Sequence, residues 1–240
     1  VNRDASRIWT AALYSRCLPG EPDAYAVFLD LAQSACRQGS TVIDLGCGEE
    51  GYLSCLLGTA GEIIGLDSRQ LQGPYSRYLQ ADLDRDIPLE PESVELAACK
   101  FMVEHLEDPA SFLRQVHASL RHGGQLVIMT PNILYYPYAV NWVLSRLLTQ
   151  ERRMRIVEIF SGRPQQDIYP VFYRCNTPRR MRAELARAGF DIIHVGTYSD
   201  CSVSAVTRPL GALAVAYEMA VGRARIGDAR GFIVAAAVKE

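Results

Sequence analysis

Apolar positions come in two rhythms along the 240 residues: short near-continuous runs, and longer stretches with a period near 3.6. The first 39 residues are of the second kind. Ala24–Cys36 places Ala24, Val27, Phe28, Leu31, Ala32 and Ala35 on one helical face, and Gly39 stops it. Thr41-Val42-Ile43-Asp44-Leu45 then reads as a β-branched buried strand, Gly46–Gly51 as a glycine-rich turn and Tyr52–Leu57 as a helix. Glu62–Asp67 is a second short strand, ending in an acid. Weaker strands are predicted at Tyr75–Gln80 and Val94–Cys99, a helix at Pro109–Leu120 and a strong strand at Gly124–Thr130. Thr177-Pro178 opens a helix to Ala188 that Gly189 caps, with a strand at Phe190–Val195. A helix at Leu210–Val221 and a strand at Phe232–Val238 complete the tail. Strands and helices alternating at this spacing imply βαβ units and a parallel sheet covered on both faces. Such a sheet takes ligands at the carboxyl ends of its strands, beside the first one.

With 49% apolar and 22% charged residues, the composition is that of a globular protein and excludes disorder. A chain of this length buries about 70% of its unfolded surface, so its core needs neither disulfides nor a metal. The longest apolar stretches are broken by Asn141 and Arg146 in Ile133–Leu148, and by Arg208, Pro209 and Glu218 in Val203–Val221. Neither reaches about 18 clean apolar residues, so no membrane span is expected. Seven cysteines without a C-x-x-C pair read as reduced thiols of a cytoplasmic protein. Val1-Asn2-Arg3-Asp4 has no apolar signal core, and a first residue other than Met leaves upstream sequence open. The net charge of −2, with no recognition module or basic tail, argues against a nucleic-acid partner. That sum hides a division. From Ser40 to Ala110 fourteen acids face four bases, a net of −10, whereas from Glu151 to Asp191 five acids face nine arginines, a net of +4.

The chemistry-bearing motif follows the first strand. Gly46-x-Gly48-x-x-Gly51 satisfies the dinucleotide fingerprint, and Asp67 lies 21 residues beyond Gly46, where a ribose-binding acid belongs. Missing Cβ atoms let the backbone pass close to a ligand, and an acid at a strand end accepts hydrogen bonds from both ribose hydroxyls. Any adenosine cofactor meets this description. Asp44 discriminates among them, because a carboxylate at the mouth of the loop opposes a pyrophosphate and favours a cationic amine. S-adenosylmethionine fits, with its α-amino group, its sulfonium and no phosphate. Cys47 has no motif-linked base beside it and reads as a small loop residue, not a nucleophile.

In four ordered motifs the chain resembles the class I S-adenosylmethionine-dependent methyltransferases, in their small-molecule branch, over Thr41 to Val195. The motifs are Val42–Gly48, the strand end Gly65-Leu66-Asp67, Val103–Pro109 followed by Phe112-Leu113, and Leu120-Arg121-x-Gly123-Gly124 leading to Thr130-Pro131-Asn132. The resemblance implies an α/β, Rossmann-like fold: a seven-stranded, mostly parallel sheet in the order 3-2-1-4-5-7-6, helices on both faces, and a helical, aromatic insertion after strand 5. It divides the chain into an N-terminal helical lid, 1–39, and a cofactor-binding domain, 40–240, with a substrate-side insertion at 133–176. It assigns Asp44, Gly46, Cys47 and Gly48 to the methionine portion of the cofactor. Asp67 goes to the ribose and Asp82 to the adenine amine, Ser68 and Leu83 next to them in sequence are further cofactor-binding candidates, and Lys100 and Phe101 line the pocket. For Asp82 a helix N-cap is the structural alternative. The implied activity is methyl transfer to a small-molecule acceptor, leaving S-adenosylhomocysteine. The alternatives are a regulatory protein that binds the cofactor without turnover, and an NAD-dependent dehydrogenase.

Transfer from a sulfonium is an in-line displacement, in which the enzyme aligns the acceptor, excludes water and removes a proton where there is one. His105 is the candidate base, since it follows the fourth strand and imidazole titrates near neutrality; a packed or capping histidine is the alternative. The segment is also similar to a metal-assisted quinone O-methyltransferase subgroup with Glu-x-x-Glu-His. Here Phe101 stands in place of the first glutamate of that motif, ahead of Glu104 and His105, which removes an oxygen ligand and predicts no metal. Tyr135, Tyr136, Tyr138 and Trp142, with Tyr173 and Arg174, are candidates to wall a ring-containing or apolar acceptor. Covering the sheet edge or building a homodimer contact is the alternative. Arginines 152, 153, 155, 163, 174, 179, 180 and 182 suit a carboxylate, a phosphate or a lipid headgroup, or are solvated surface. The acceptor classes in view are a glycan, a lipid-like compound or a specialised metabolite, methylated at oxygen, nitrogen or carbon.

Overall fold

The computed structural model describes residues 3–49, 51–148, 169–199, 205–224 and 226–240. The chain divides into two compact units. The larger comprises Ala24–Thr130, Phe172–Gly196 and Ile233–Glu240, and the smaller Val1–Asp23, Pro131–Val171 and Thr197–Phe232.

The larger unit is built on seven strands: β1 (Thr41–Leu45), β2 (Glu62–Asp67), β3 (Arg77–Gln80), β4 (Val94–Lys100), β5 (Leu120–Pro131), β6 (Phe190–Tyr198) and β7 (Phe232–Lys239). They form a mixed sheet in the order 3-2-1-4-5-7-6, the order implied by the sequence motifs. Pairings from β3 through β5 are parallel, and Asp44 lies in register between Gly65 of β2 and Ala98 of β4. Because side chains alternate along a strand, Ile43 and Leu45 enter one core with Ile64, Leu66, Ala97, Leu126 and Ile128, while Asp44 points to the other face. Helices α3 (Pro109–Ser119) and α5 (Pro178–Arg187) cover the first face with Phe112, Leu113, Val116, Met181 and Leu185. Each such side chain stabilises the fold by about 1.5–3 kcal/mol when fully buried. Helix α2 (Ala24–Ala35) packs beside β4 and lays Phe28 against Tyr52, with ring centres 5.7 Å apart.

Both covering helices start alike. Asp108 accepts from the Ser111 N–H at 3.0 Å and Thr177 from the Arg180 N–H at 3.2 Å, each with proline at the first turn. Thr177→Ala is expected to lower the unfolding free energy by about 1 kcal/mol, read as a shifted urea midpoint with an unchanged slope.

Two elements depart from the sequence expectation. Tyr52–Leu57 does not form a helix; a single 3-10 turn, Ser54–Leu56, is all that closes. Gly51, at φ +57°, turns Tyr52 inward onto Asp44, and the Tyr75 hydroxyl takes the Leu53 N–H. Strand β5 starts at Leu120, not Gly124. Leu120 already pairs with Val94, and a register shift absorbs the Gly123-Gly124 turn before Gln125 pairs with Leu96.

In the smaller unit α1 (Arg3–Cys17) packs on α6 (Arg208–Ala224). Only glycine fits at position 211, because a Cβ there would lie 2.0 Å from the Thr10 Oγ1. Buried Asn132 donates to the carbonyls of Asp228 and Arg230 at 2.6 and 2.7 Å, ahead of α4 (Tyr136–Leu147). Arg230 clasps Glu21 through two bonds of 2.7 and 2.8 Å. No helix among the described residues is long and apolar enough to cross a membrane. Part of the expected insertion, 149–168, lies outside the described residues, and with it Arg152, Arg153, Arg155 and Arg163.

Candidate functional site

The loop after β1 is tied to the end of β2. The N–H groups of Gly46 and Cys47 both donate to the Leu66 carbonyl, at 2.8 and 3.0 Å. Gly46 and Gly48 have φ of +76° and +56°, a region that L side chains rarely enter. A Cβ on Gly46 would also strike Met102 at 2.7 Å, whereas one on Gly48 would meet nothing within 4 Å. Gly48 therefore faces open space, and its N–H reaches Asp67 Oδ2 at 3.0 Å. Asp67 Oδ1 accepts from the Arg69 backbone N–H at 3.0 Å and from its Nε at 3.3 Å, and Glu49 lies 3.5 Å from the same guanidinium. A carboxylate has about four lone-pair sites, so Asp67 keeps one for a hydroxyl on Oδ2, beside the open face of Gly48, and a second hydroxyl would have to displace the Arg69 Nε from Oδ1. That open acceptor site fits a ribose hydroxyl of an adenosyl cofactor.

Asp44 is placed differently from its expected position at the loop mouth. It is fully buried, and its carboxylate accepts from two hydroxyls, Tyr52 on Oδ1 and Tyr75 on Oδ2, the latter at 2.7 Å. Burial outweighs both donors and the nearby Lys100 charge, and pushes the Asp44 carboxyl up to about 7. Burial and the facing carboxylate in turn push both tyrosines up, so they stay protonated and keep donating. Sequence reasoning missed Tyr52 and Tyr75, because they reach Asp44 from 8 and 31 residues away and carry no periodic or motif signal.

Above this clamp, the Lys100 ammonium lies 4.6 Å from the Tyr52 ring centre, 5.1 Å from that of Tyr25 and 5.6 Å from that of Phe101. Phe101 is itself at φ +56°, held by its N–H on the Met129 carbonyl at 2.9 Å. Cys47 is buried, and its thiol is pushed up to about 12 chiefly by that burial, so it is neutral and poorly nucleophilic at physiological pH. Ser68 is exposed, and its carbonyl accepts from Gln80 at 2.9 Å. Asp82 opens a turn, not a helix. Its carboxylate is exposed and lies 3.1 Å from Arg85, while Leu83 enters the core.

His105 ends a 3-10 turn, Val103–His105, and is half-buried, with Nε2 3.9 Å from Glu104 Oε1. Glu104 is buried and accepts from Thr130 Oγ1 at 2.9 Å; Thr130 accepts in turn from Asn176 at 2.7 Å. Sequence reading did not connect these three. Among the described residues, no group of three or more His, Cys, Asp or Glu stands close enough to hold a metal ion.

The acceptor-side candidates divide between the units. Tyr135 is fully buried at the hub of an aromatic cluster with Tyr136, Tyr138 and Tyr217, whereas Tyr136 and Tyr138 stay partly exposed. In the larger unit Tyr173 is buried at φ +52°, and Arg174 is exposed, 5.7 Å over the Phe172 ring. Arg179, Arg180 and Arg182 are exposed on α5.

Comparison with known proteins agrees with this fold. A family profile described as a methyltransferase domain matches residues 21–195. A probable S-adenosylmethionine-dependent methyltransferase of Mycolicibacterium smegmatis is 29% identical over 119 residues, 47% of this chain and 46% of that protein. A ubiquinone biosynthesis O-methyltransferase of Aeromonas salmonicida is 30% identical over 106 residues, 39% of this chain and 44% of that protein. The matches thus span less than half the length of these curated relatives. A crystal structure of an S-adenosylmethionine-dependent methyltransferase from Mesorhizobium loti superposes with a TM-score of 0.58 at 21% identity, covering 90% of this chain and 98% of that one. With the family profile over most of the chain, the strand order and the glycine loop in agreement, this chain belongs to the S-adenosylmethionine-dependent methyltransferase family.

Proposed function

We propose that the protein transfers a methyl group from S-adenosylmethionine to a small-molecule acceptor, at a ring hydroxyl. The observation that carries this reading is the open face of Gly48 beside the Asp67 carboxylate, at the carboxyl ends of β1 and β2. Asp67 holds a ribose hydroxyl. Asp44, enclosed by Tyr52 and Tyr75, fixes the loop from beneath and acts on a cationic ligand through its field, without direct contact. The bound cofactor supplies an activated methyl group. His105, just beyond β4, takes the acceptor proton on its imidazole as the oxygen becomes nucleophilic. The similarity to ubiquinone biosynthesis O-methyltransferases supports an oxygen acceptor on a ring. Six cysteines among the described residues are free thiols, which suits a cytoplasmic location.

The test is a methyl-labelled S-adenosylmethionine assay against a panel of phenolic acids and catechols. Turnover on a phenolic hydroxyl is expected, and His105→Ala should lower kcat by about a hundredfold with the cofactor still bound. Cofactor binding without transfer to any panel member would overturn the acceptor assignment, and an unaltered rate in His105→Ala would remove it as the base.

A further inference from the structure

The chain itself already uses most of the Asp67 carboxylate. Each carboxylate oxygen has about two lone-pair directions. Both on Oδ1 are taken by one residue, through the Arg69 backbone N–H at 3.0 Å and the Arg69 Nε at 3.3 Å. Oδ2 accepts from the Gly48 N–H at 3.0 Å and keeps its second direction for a ligand, beside the open face of Gly48. A diol gripped by both oxygens would need one direction on each, so its second hydroxyl has to compete with the Arg69 side chain.

Three features favour Arg69 in that competition. The turn that carries it is fixed, because the Ala81 N–H donates to the Asp67 carbonyl at 2.9 Å and the Gln80 side-chain amide to the Ser68 carbonyl at 2.9 Å. Its guanidinium is held from a second side, with Nη1 3.5 Å from Glu49 Oε1. The exchange is also unequal. A hydroxyl is a neutral donor, whereas the guanidinium N–H is charged, and a charge-assisted hydrogen bond is about twice as strong. The Asp67 side chain is only 13% exposed, so water and salt screen that bond less than on open surface. We infer that Arg69 limits Asp67 to a single hydroxyl of an adenosyl ligand's ribose, and so decides which changes to the ribose this protein tolerates. The role rests on the cofactor reading proposed above and adds to it a residue that the glycine-loop spacing does not mark. One hydroxyl then carries recognition, and the other is dispensable.

The experiment is calorimetric titration of the full chain with S-adenosylhomocysteine and with its two monodeoxy analogues, each lacking one ribose hydroxyl. It is run on the wild type and on Arg69→Met, which keeps the backbone N–H and the apolar stem but removes Nε. In the wild type one analogue should bind within about twofold of the parent and the other at least about tenfold more weakly. In Arg69→Met both analogues should fall at least about fivefold below the parent, because the vacated direction on Oδ1 accepts the second hydroxyl, and the parent itself should tighten. The Arg69 side chain is 45% exposed, and saturable binding of the parent by the variant shows that its site is intact. Equal affinities or equal losses for the two analogues in the wild type would overturn the proposal. So would weaker binding of the parent by Arg69→Met, because the arginine would then be holding the ligand, or an unchanged ranking of the three ligands. Failure of the wild type to bind the parent at all would remove the cofactor reading and this role with it, whereas parent binding with equal losses removes the role alone.

Discussion

Replacing Asp44 with asparagine is expected to stabilise the cofactor-free protein at neutral and alkaline pH. An aspartate in the unfolded chain titrates near 3.9, whereas burial holds Asp44 up to about 7 in the fold. Between those values the folded chain keeps a proton that the unfolded chain has released. The stability this contributes is fully present below about pH 4 and is lost as pH rises through about 7. About three units correspond to roughly 4 kcal/mol, so Asp44 is a large charge cost in the empty protein. Asparagine resembles the protonated acid and should flatten the profile. Urea unfolding between about pH 5 and about pH 8 is the measurement: the wild type should weaken across that range and Asp44→Asn should not. Parallel profiles would mean that the Tyr52 and Tyr75 hydroxyls already compensate the buried charge. The same substitution should weaken S-adenosylmethionine binding about tenfold, because a cationic ligand loses the field of the ionised carboxylate.

The second large effect belongs to Asp67. A hydrogen bond to a charged group contributes about 1.5–3 kcal/mol, and one from a ribose hydroxyl to the remaining lone-pair site places Asp67→Ala at about tenfold to a hundredfold in cofactor affinity. Asp67→Asn, which keeps the shape and one acceptor oxygen, should fall between. Calorimetric titration with S-adenosylhomocysteine checks this without any acceptor. An affinity within about twofold of wild type would place the ribose elsewhere and leave Asp67 as an anchor for Gly48 and Arg69 only.

Much of the fold was legible because local pattern and tertiary role coincide. Glu62–Asp67 is a strand with the bounds the sequence suggests, and Thr177-Pro178 and Gly189 mark the ends of α5 as cap chemistry predicts. Tyr52–Leu57 misled for the opposite reason. Its apolar residues look helical, yet a side-chain hydroxyl captures the backbone N–H of Leu53. The site divides in the same way. Gly46, Gly48 and Asp67 are a local motif, readable from spacing. The environment of Asp44 is not, because it is made by partners distant in sequence, so a carboxylate expected at the loop mouth lies sealed beneath it. Tyr135 shows the same limit: an aromatic run announces ring surface, and only packing decides that this ring is interior while Tyr136 and Tyr138 keep partial exposure.

The central claim is that the β1–β2 edge recognises a cationic adenosyl cofactor. Its most direct test is calorimetric titration of the wild-type chain with S-adenosylmethionine and, separately, with NAD. Saturable binding of S-adenosylmethionine at one site, displaced by S-adenosylhomocysteine and unaffected by NAD, is the expected result; binding of NAD with no response to S-adenosylmethionine would contradict the account.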